Sequence, residues 1–248
     1  MATNLYSELR GSDDDRSLSP ARALAIGAHP DDIEFGAGGT LAGWAANCDI
    51  AGVIVTDGSK GSWNPDESQE ELVEARKVEA RAAANRLGIA TLVFLGEIDG
   101  ELEYTTALRK RVSQLIRQHR PDVVLSHDPW QRYQLHPDHR ATGWAVIDGV
   151  VSARDPLFYR DQGPAHRPEA VLLWSADEPN HAEDISTTID VKIAALLEHS
   201  SQGETTMGDA QLGGEPQTAF RNKMVQRATE SAAGTPYEMA EQFRLITP

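Results

Sequence analysis

The sequence predicts an α/β fold in which a mostly parallel sheet carries helices on both faces and is completed by a C-terminal cap. Short apolar runs alternate with longer segments of helical composition, a pattern typical of βαβ units with right-handed crossovers. The apolar runs are continuous instead of alternating with polar residues, which indicates strands buried on both faces. With 248 residues and 40% hydrophobic content, the chain can bury one large core.

Each predicted strand is a short run of apolar residues that ends at glycine or at polar residues. The first run ends at Gly27 and the second at Asp57-Gly58. The run at 185–189 is taken as a candidate sixth strand. The predicted strands are 22–26, 49–56, 91–95, 121–126, 169–174 and 185–189.

The predicted helices fill the intervals between these strands and extend into the C-terminal region. The strongest, at 70–87, is rich in Ala, Glu and Arg, and Gly88 is a suitable C-terminal stop. Gly36-Ala-Gly-Gly39 is interpreted as a bend that lets the preceding turn pack closely. The predicted helices are 40–46, 70–87, 105–119, 139–151, 191–199, 219–231 and 237–245.

The chain divides into three predicted segments. Residues 1–20 are acidic and lack the apolar run of a signal peptide, so we expect a disordered leader. Residues 21–200 form the predicted core. Residues 201–248 begin with Gly-, Thr- and Gln-rich sequence and are predicted to form a cap or lid.

Composition excludes several classes of partner. A net charge of -15 argues against nucleic acid or an anionic membrane surface. No apolar run approaches the roughly 18 residues of a membrane span. Cys48 is the sole cysteine, which excludes an internal disulfide and favours a cytoplasmic location. The expected partner is a small molecule, and assembly into a homo-oligomer stays open.

Two clusters of histidine and aspartate follow predicted strands. His29-Pro-Asp-Asp32 comes after the first strand and His136-Pro-Asp-His139 after the fourth. In a parallel sheet of order 3-2-1-4-5, ligands bind beyond the carboxyl ends of strands 1 and 4, where the strand order reverses. The sequence therefore predicts that both clusters meet at one site.

The two clusters suit a catalytic metal ion. We predict His29, Asp32 and His139 as ligands, because two histidines and a carboxylate with open positions are typical of catalytic zinc. The same ligand types also suit iron(II) or another divalent ion. Asp31, beside a ligand, is the expected general base.

The second cluster supplies two further groups. We expect His136 to stabilise an oxyanion, a role for which the imidazolium form would be best. Asp138 is the expected partner that orients and charges His136.

These residues resemble a known family. Ala28–Asp32 followed by Gly36–Gly39, and His136–Ala141, are similar to the two signature motifs of the LmbE-like (PIG-L) zinc-dependent N-acetylglucosaminyl deacetylases. The chain departs from the commonest first motif by having Asp32-Ile-Glu34 where Glu often follows the second Asp directly. Further similar segments are 56–58, 76–79, 87–88, 95–96, 99–102 and 192–202.

The resemblance implies a Rossmann-like sheet and zinc-dependent removal of an acetyl group from a GlcNAc-type amino sugar or glycoconjugate. It also implies that Arg76 and Asp99 face the sugar or its aglycone. One alternative is an amidase that releases a larger acyl group from a sugar-thiol conjugate. Another is a metal-free sugar- or nucleotide-binding module, and an iron(II) oxygenase is a weaker one.

Overall fold

Seven strands form one sheet in the order β3-β2-β1-β4-β5-β7-β6. The structure is a computed structural model that describes residues 19–248, so residues 1–18 of the predicted leader lie outside the described part. The strands are β1 Arg22–Gly27, β2 Asp49–Thr56, β3 Thr91–Glu97, β4 Val123–His127, β5 Ala170–Trp174, β6 His181–Asp184 and β7 Ala240–Ile246.

Strands β1 to β5 are parallel and follow the predicted order 3-2-1-4-5. Strand β1 lies between β2 and β4, with Ile26 opposite both Val53 and Ser126. Leu24 and Ile26 are fully buried, as expected for a central strand covered on both faces. The carboxyl ends of β1 and β4 are therefore neighbours.

Helices cover both faces of the sheet, as predicted. One core holds Leu41 of the first helix and Leu87 of the second, and the opposite core holds Ile116 and Val146 of the third and fourth. The helices are α1 Asp32–Trp44, α2 Gln69–Leu87, α3 Thr106–His119, α4 Pro137–Arg154, α5 Ile189–Leu196 and α6 Gly214–Ser231. The mostly parallel α/β architecture is thus confirmed.

Helix α1 begins earlier than predicted, at Asp32 instead of Thr40. The glycines interpreted as a bend lie inside this helix, and their low helix propensity hid it from sequence reasoning. Their purpose is close packing: a Cβ on Gly36 would lie only 2.4 Å from the ring of Trp174. Helix α4 likewise begins at Pro137 instead of His139, because proline suits the first turn.

Two predictions in the C-terminal half were wrong. Residues 185–189 are not a strand; the sixth strand is His181–Asp184 and helix α5 starts at Ile189. The predicted helix at 237–245 is instead strand β7, which pairs antiparallel with both β5 and β6. Tertiary pairing and burial of Phe243 override the weak helical preference of this segment.

The sheet consequently draws residues from the predicted core and from the predicted cap. Helix α6 packs through Phe220 and Met224 against Ile189 and Ile193 of α5. The cap or lid of residues 201–248 stays a prediction, and β7 within that range belongs to the sheet. Within residues 19–248, no helix is long and apolar enough to cross a membrane.

Candidate functional site

The two predicted clusters meet beyond the carboxyl ends of β1 and β4. His29 lies two residues beyond β1, and His136 and His139 flank the start of α4. Both segments line one cavity of about 1240 Å³. The convergence expected at the reversal of strand order is therefore present.

Donor atoms of three residues lie close together and are called the donor triangle, in which Asp32 contributes a different oxygen to each of its two edges. His29 Nδ1 lies 3.2 Å from His139 Nε2 and 3.2 Å from Asp32 Oδ2. His139 Nε2 lies 3.3 Å from Asp32 Oδ1. Ligands at the zinc distances of about 2.0–2.1 Å in tetrahedral geometry stand about 3.3 Å apart. The spacing of these side chains is therefore close to that of ligands on one small divalent ion.

The other ring nitrogen of His29 faces carboxylates. Nε2 lies 3.1 Å from Asp138 Oδ2 and 3.2 Å from Asp99 Oδ1. Since ionised carboxylates only accept hydrogen bonds, Nε2 carries a hydrogen, and the Nδ1 lone pair is the one available to a metal. Asp138 also accepts the Gly100 amide at 2.7 Å.

Asp138 makes its hydrogen bond to a different histidine from the one predicted. Asp138 was expected to orient His136, but its hydrogen-bonded histidine is His29. A ring nitrogen of His136 nevertheless lies within 4.8 Å of an Asp138 carboxylate oxygen, so Asp138 stays an electrostatic neighbour of His136.

Acidic residues dominate this part of the cavity. Burial disfavours a charged His29 imidazole, but hydrogen bonds to Asp138, Asp32 and Asp99 outweigh it and raise the pKa of His29 to about 12. Burial likewise opposes ionisation of Asp32, yet His127 and His139 hold its pKa well below the usual range. These carboxylates favour positive charge between them, and a cation bound there would replace the proton on His29 Nδ1.

Asp31 lies beside the donor triangle in a strained backbone conformation. Its φ of 107° is rare for a residue other than glycine and costs of order 1–3 kcal/mol. Burial raises the pKa of Asp31 to about 6, although the Arg76 guanidinium, 3.8 Å away, lowers it. Arg76 also donates to the carbonyls of Pro30 (2.7 Å) and Gly58 (2.9 Å), which fixes the turn carrying Asp31.

The rings of His136 and His139 stack, with centroids 4.9 Å apart and planes 22° from parallel. Burial and the neighbouring His29 and His139 lower the pKa of His136. The neutral imidazole is therefore favoured over the imidazolium form expected from the sequence. A neutral ring still donates one hydrogen bond.

His127, the last residue of β4, is a histidine to which sequence reasoning assigned no role, although it follows a predicted strand next to the site. Its Nε2 lies 3.2 Å from Asp32 Oδ2, and its ring stacks on His139 at 4.2 Å. Burial lowers the pKa of His127 although Asp32 opposes the effect. The available signal was its position at the carboxyl end of the strand beside β1.

Glu34 does not join the cluster. Its carboxylate lies 3.6 Å from His199 Nε2, and both side chains are buried. A residue two positions after Asp32 on α1 points to a different side of the helix. Glu34 thus belongs to a separate pair beneath the site.

A family model described as PIG-L, GlcNAc-PI de-N-acetylase, matches residues 24–150. The chain belongs to this family. The matched segment contains His29, Asp32 and His139 together with Asp31 and His136. The PIG-L assignment therefore covers the whole donor triangle.

Similar proteins carry related names. The chain is 37% identical over 186 residues to a diacetylchitobiose deacetylase from Thermococcus kodakarensis, covering 73% of this chain and 70% of that protein. It is 31% identical to a probable N-acetyl-alpha-D-glucosaminyl L-malate deacetylase 2 from Bacillus anthracis, covering 73% of this chain and 81% of the relative. The structure of an N,N'-diacetylchitobiose deacetylase from Pyrococcus horikoshii superimposes with a TM-score of 0.84 at 26% identity, covering 98% of this chain and 90% of the other.

Proposed function

We propose that this PIG-L family protein is a zinc-dependent deacetylase that hydrolyses the N-acetyl group of a GlcNAc-type amino sugar or glycoconjugate. The observation that carries the proposal is the triangle of His29, Asp32 and His139, with edges of 3.2–3.3 Å, beside the buried carboxylate of Asp31. The names of the relatives support the substrate class.

We assign His29 Nδ1, His139 Nε2 and Asp32 as the metal ligands. A zinc ion held there would supply Lewis-acid activation of water and of the amide carbonyl. The hydrogen bond from His29 Nε2 to Asp138 fixes which nitrogen faces the ion. Iron(II) accepts the same ligand types, so metal analysis of the purified protein forms part of the test.

Asp31 is proposed as the general base. It takes a proton from the attacking water and returns it to the sugar nitrogen as the acetyl group departs. Arg76 acts through Asp31, since its guanidinium lies 3.8 Å from that carboxylate and otherwise bonds backbone carbonyls. His136 donates a hydrogen bond to the oxyanion that forms on the amide oxygen.

The cavity suits a substrate larger than a single small group. Its volume of about 1240 Å³ exceeds the roughly 300–1,000 Å³ of ordinary ligand sites. Asp99 lines it beside His29 and is proposed to accept hydrogen bonds from sugar hydroxyls, while Arg76 borders the same space. A cytoplasmic location and a homo-oligomer stay predictions.

The test is a screen of N-acetylated mono- and disaccharides for release of free amine and acetate by zinc-loaded protein. We expect stoichiometric amine and acetate from at least one GlcNAc derivative, and loss of both products after chelation. A parallel set of sugars with larger N-acyl groups tests the amidase alternative. Protein that binds zinc but releases amine from none of these compounds would contradict the proposal.

A further inference from the structure

Two residues outside the ligand set connect the neighbouring strand β5 to the metal site. Trp174, the last residue of β5, donates from its indole Nε1 to His127 Nδ1 at 3.0 Å. His127, the last residue of β4, places its Nε2 3.2 Å from Asp32 Oδ2. The contacts therefore run from β5 through β4 to the residue that follows β1. Both rings are buried.

The chemistry of these groups determines the tautomer of His127. An indole N–H is only a donor, so the Nδ1 that faces it is unprotonated. The neutral ring then carries its hydrogen on Nε2 and donates it to Asp32. The Ala28 amide also points at Nε2, but at the longer distance of 3.3 Å. The opposite tautomer, with its hydrogen on Nδ1, would accept the Ala28 amide. It would, however, place two N–H donors against each other at Trp174 and two lone pairs against each other at Asp32.

This tautomer excludes His127 as a metal ligand, although its ring stacks on His139. A protonated Nε2 has no lone pair for an ion, and the Nδ1 lone pair accepts from Trp174. His127 therefore acts on a carboxylate and not on the metal.

These contacts give the two carboxylate oxygens of Asp32 different partners. Oδ2 accepts the His29 amide at 2.6 Å and faces His127 Nε2. Oδ2 is also the oxygen that lies 3.2 Å from His29 Nδ1, whereas Oδ1 lies 3.3 Å from His139 Nε2 and has neither His127 nor the His29 amide as a partner. A carboxylate held through one oxygen presents the other to an ion.

We propose that Trp174 and His127 are positioning residues that hold Asp32 with Oδ1 directed at the metal. The inference rests on the metal site of the proposed function, but not on the identity of the substrate. Gly36 contributes to the same arrangement, because any larger residue there would displace the Trp174 ring that packs against it.

The test measures zinc affinity by competition with a chromogenic chelator. Trp174→Phe keeps an aromatic ring but removes the donor, and His127→Phe removes the contact to Asp32. Loss of such supporting contacts typically weakens metal binding about 10- to 100-fold, and we expect both variants in this range. Trp144→Phe, a matched change on α4, should bind zinc like the wild type. His127→Gln restores an N–H near the Nε2 position and should recover part of the affinity.

Ring ¹⁵N spectra of the metal-free protein provide a second readout that does not require zinc. We expect His127 to show an unprotonated Nδ1 and a protonated Nε2. Wild-type zinc affinity in both Trp174→Phe and His127→Phe would overturn the proposal, and so would the opposite tautomer. If the wild type binds zinc tightly but deacetylates nothing, the proposed function fails while this inference stands.

Discussion

The buried pair of Lys192 and Glu241 joins three elements at the wall of the cavity, and its removal should cost a measurable amount of stability. Lys192 Nζ on α5 donates to Glu241 Oε1 on β7 at 2.5 Å and to the Phe35 carbonyl at 2.8 Å. Glu241 also accepts the amides of Gly39 (3.0 Å) and Thr40 (2.8 Å) and the Thr40 hydroxyl (2.6 Å) on α1. Breaking a buried pair typically costs about 3–5 kcal/mol.

The hydrogen bonds left in each variant indicate which single substitution destabilises the fold more. Lys192→Met leaves a carboxylate that keeps three donors on α1, so we expect the lower end, about 3 kcal/mol. Glu241→Gln leaves the Lys192 ammonium with the Phe35 carbonyl as its remaining partner in this pair, and it sets the NH₂ of the new side chain against an N–H donor. We therefore expect a loss of about 5 kcal/mol in the free energy of unfolding. At about 2–4 °C per kcal/mol for a chain of this size, melting temperatures should fall by about 6–12 °C and 10–20 °C.

The assay is thermal and urea unfolding of the two single variants and the double variant in the presence of chelator. Lys223→Met on the exposed surface of α6 is the matched control and should lie within about 0.5 kcal/mol of the wild type. The double variant should be less destabilised than the sum of the singles, because neither charge is left alone. Two small, additive effects below about 1 kcal/mol would refute this reasoning.

Three further predictions concern the site and its frame. Asp31→Asn should retain zinc but lose about 10²- to 10⁴-fold in turnover, the usual contribution of a general base; undiminished amine release would remove Asp31 from that role. His139→Ala should lose both stoichiometric zinc and activity, as judged by elemental analysis, and an unchanged metal content would contradict its assignment as a ligand. Arg117→Met should lower the free energy of unfolding by about 3 kcal/mol or more, since the N–H groups of the buried guanidinium are shared among six backbone carbonyls between residues 152 and 163. A urea midpoint equal to that of the wild type would show that water replaces these bonds.

The order of β1 to β5 could be predicted because each strand connects to the next through a helix of ordinary length, and chirality then limits the arrangement. The position of β7 could not. Its pairing joins Val171 to Ile246, a contact distant in sequence that local composition does not encode. The start of helix α1 was mispredicted because of local composition. The glycines that leave room for Trp174 and Ile185 are poor helix formers.

The candidate ligands could be predicted from residue type and strand position, but their hydrogen-bond partners could not. Asp138 and His136 are close in sequence, yet Asp138 contacts His29, since side-chain direction at a helix start depends on dihedral angles. His127 gave no motif, because a lone histidine at a strand end is usually a polar loop residue. Its function depends on Trp174, 47 residues later in the chain.

The candidate ligands follow strand ends, which explains how donor atoms of three residues come within 3.2–3.3 Å of one another. Ile26 stands opposite Ser126 across β1 and β4, so the segments carrying His29 and His127 leave the sheet at the same height. A slip of one residue would reverse every side chain of the strand, and the buried core on both faces opposes such a slip. Groups mounted on rigid elements keep their geometry better than groups on loops. The affinity of this site for an ion therefore depends on the packing of β1, β4 and β5 as much as on the ligands themselves.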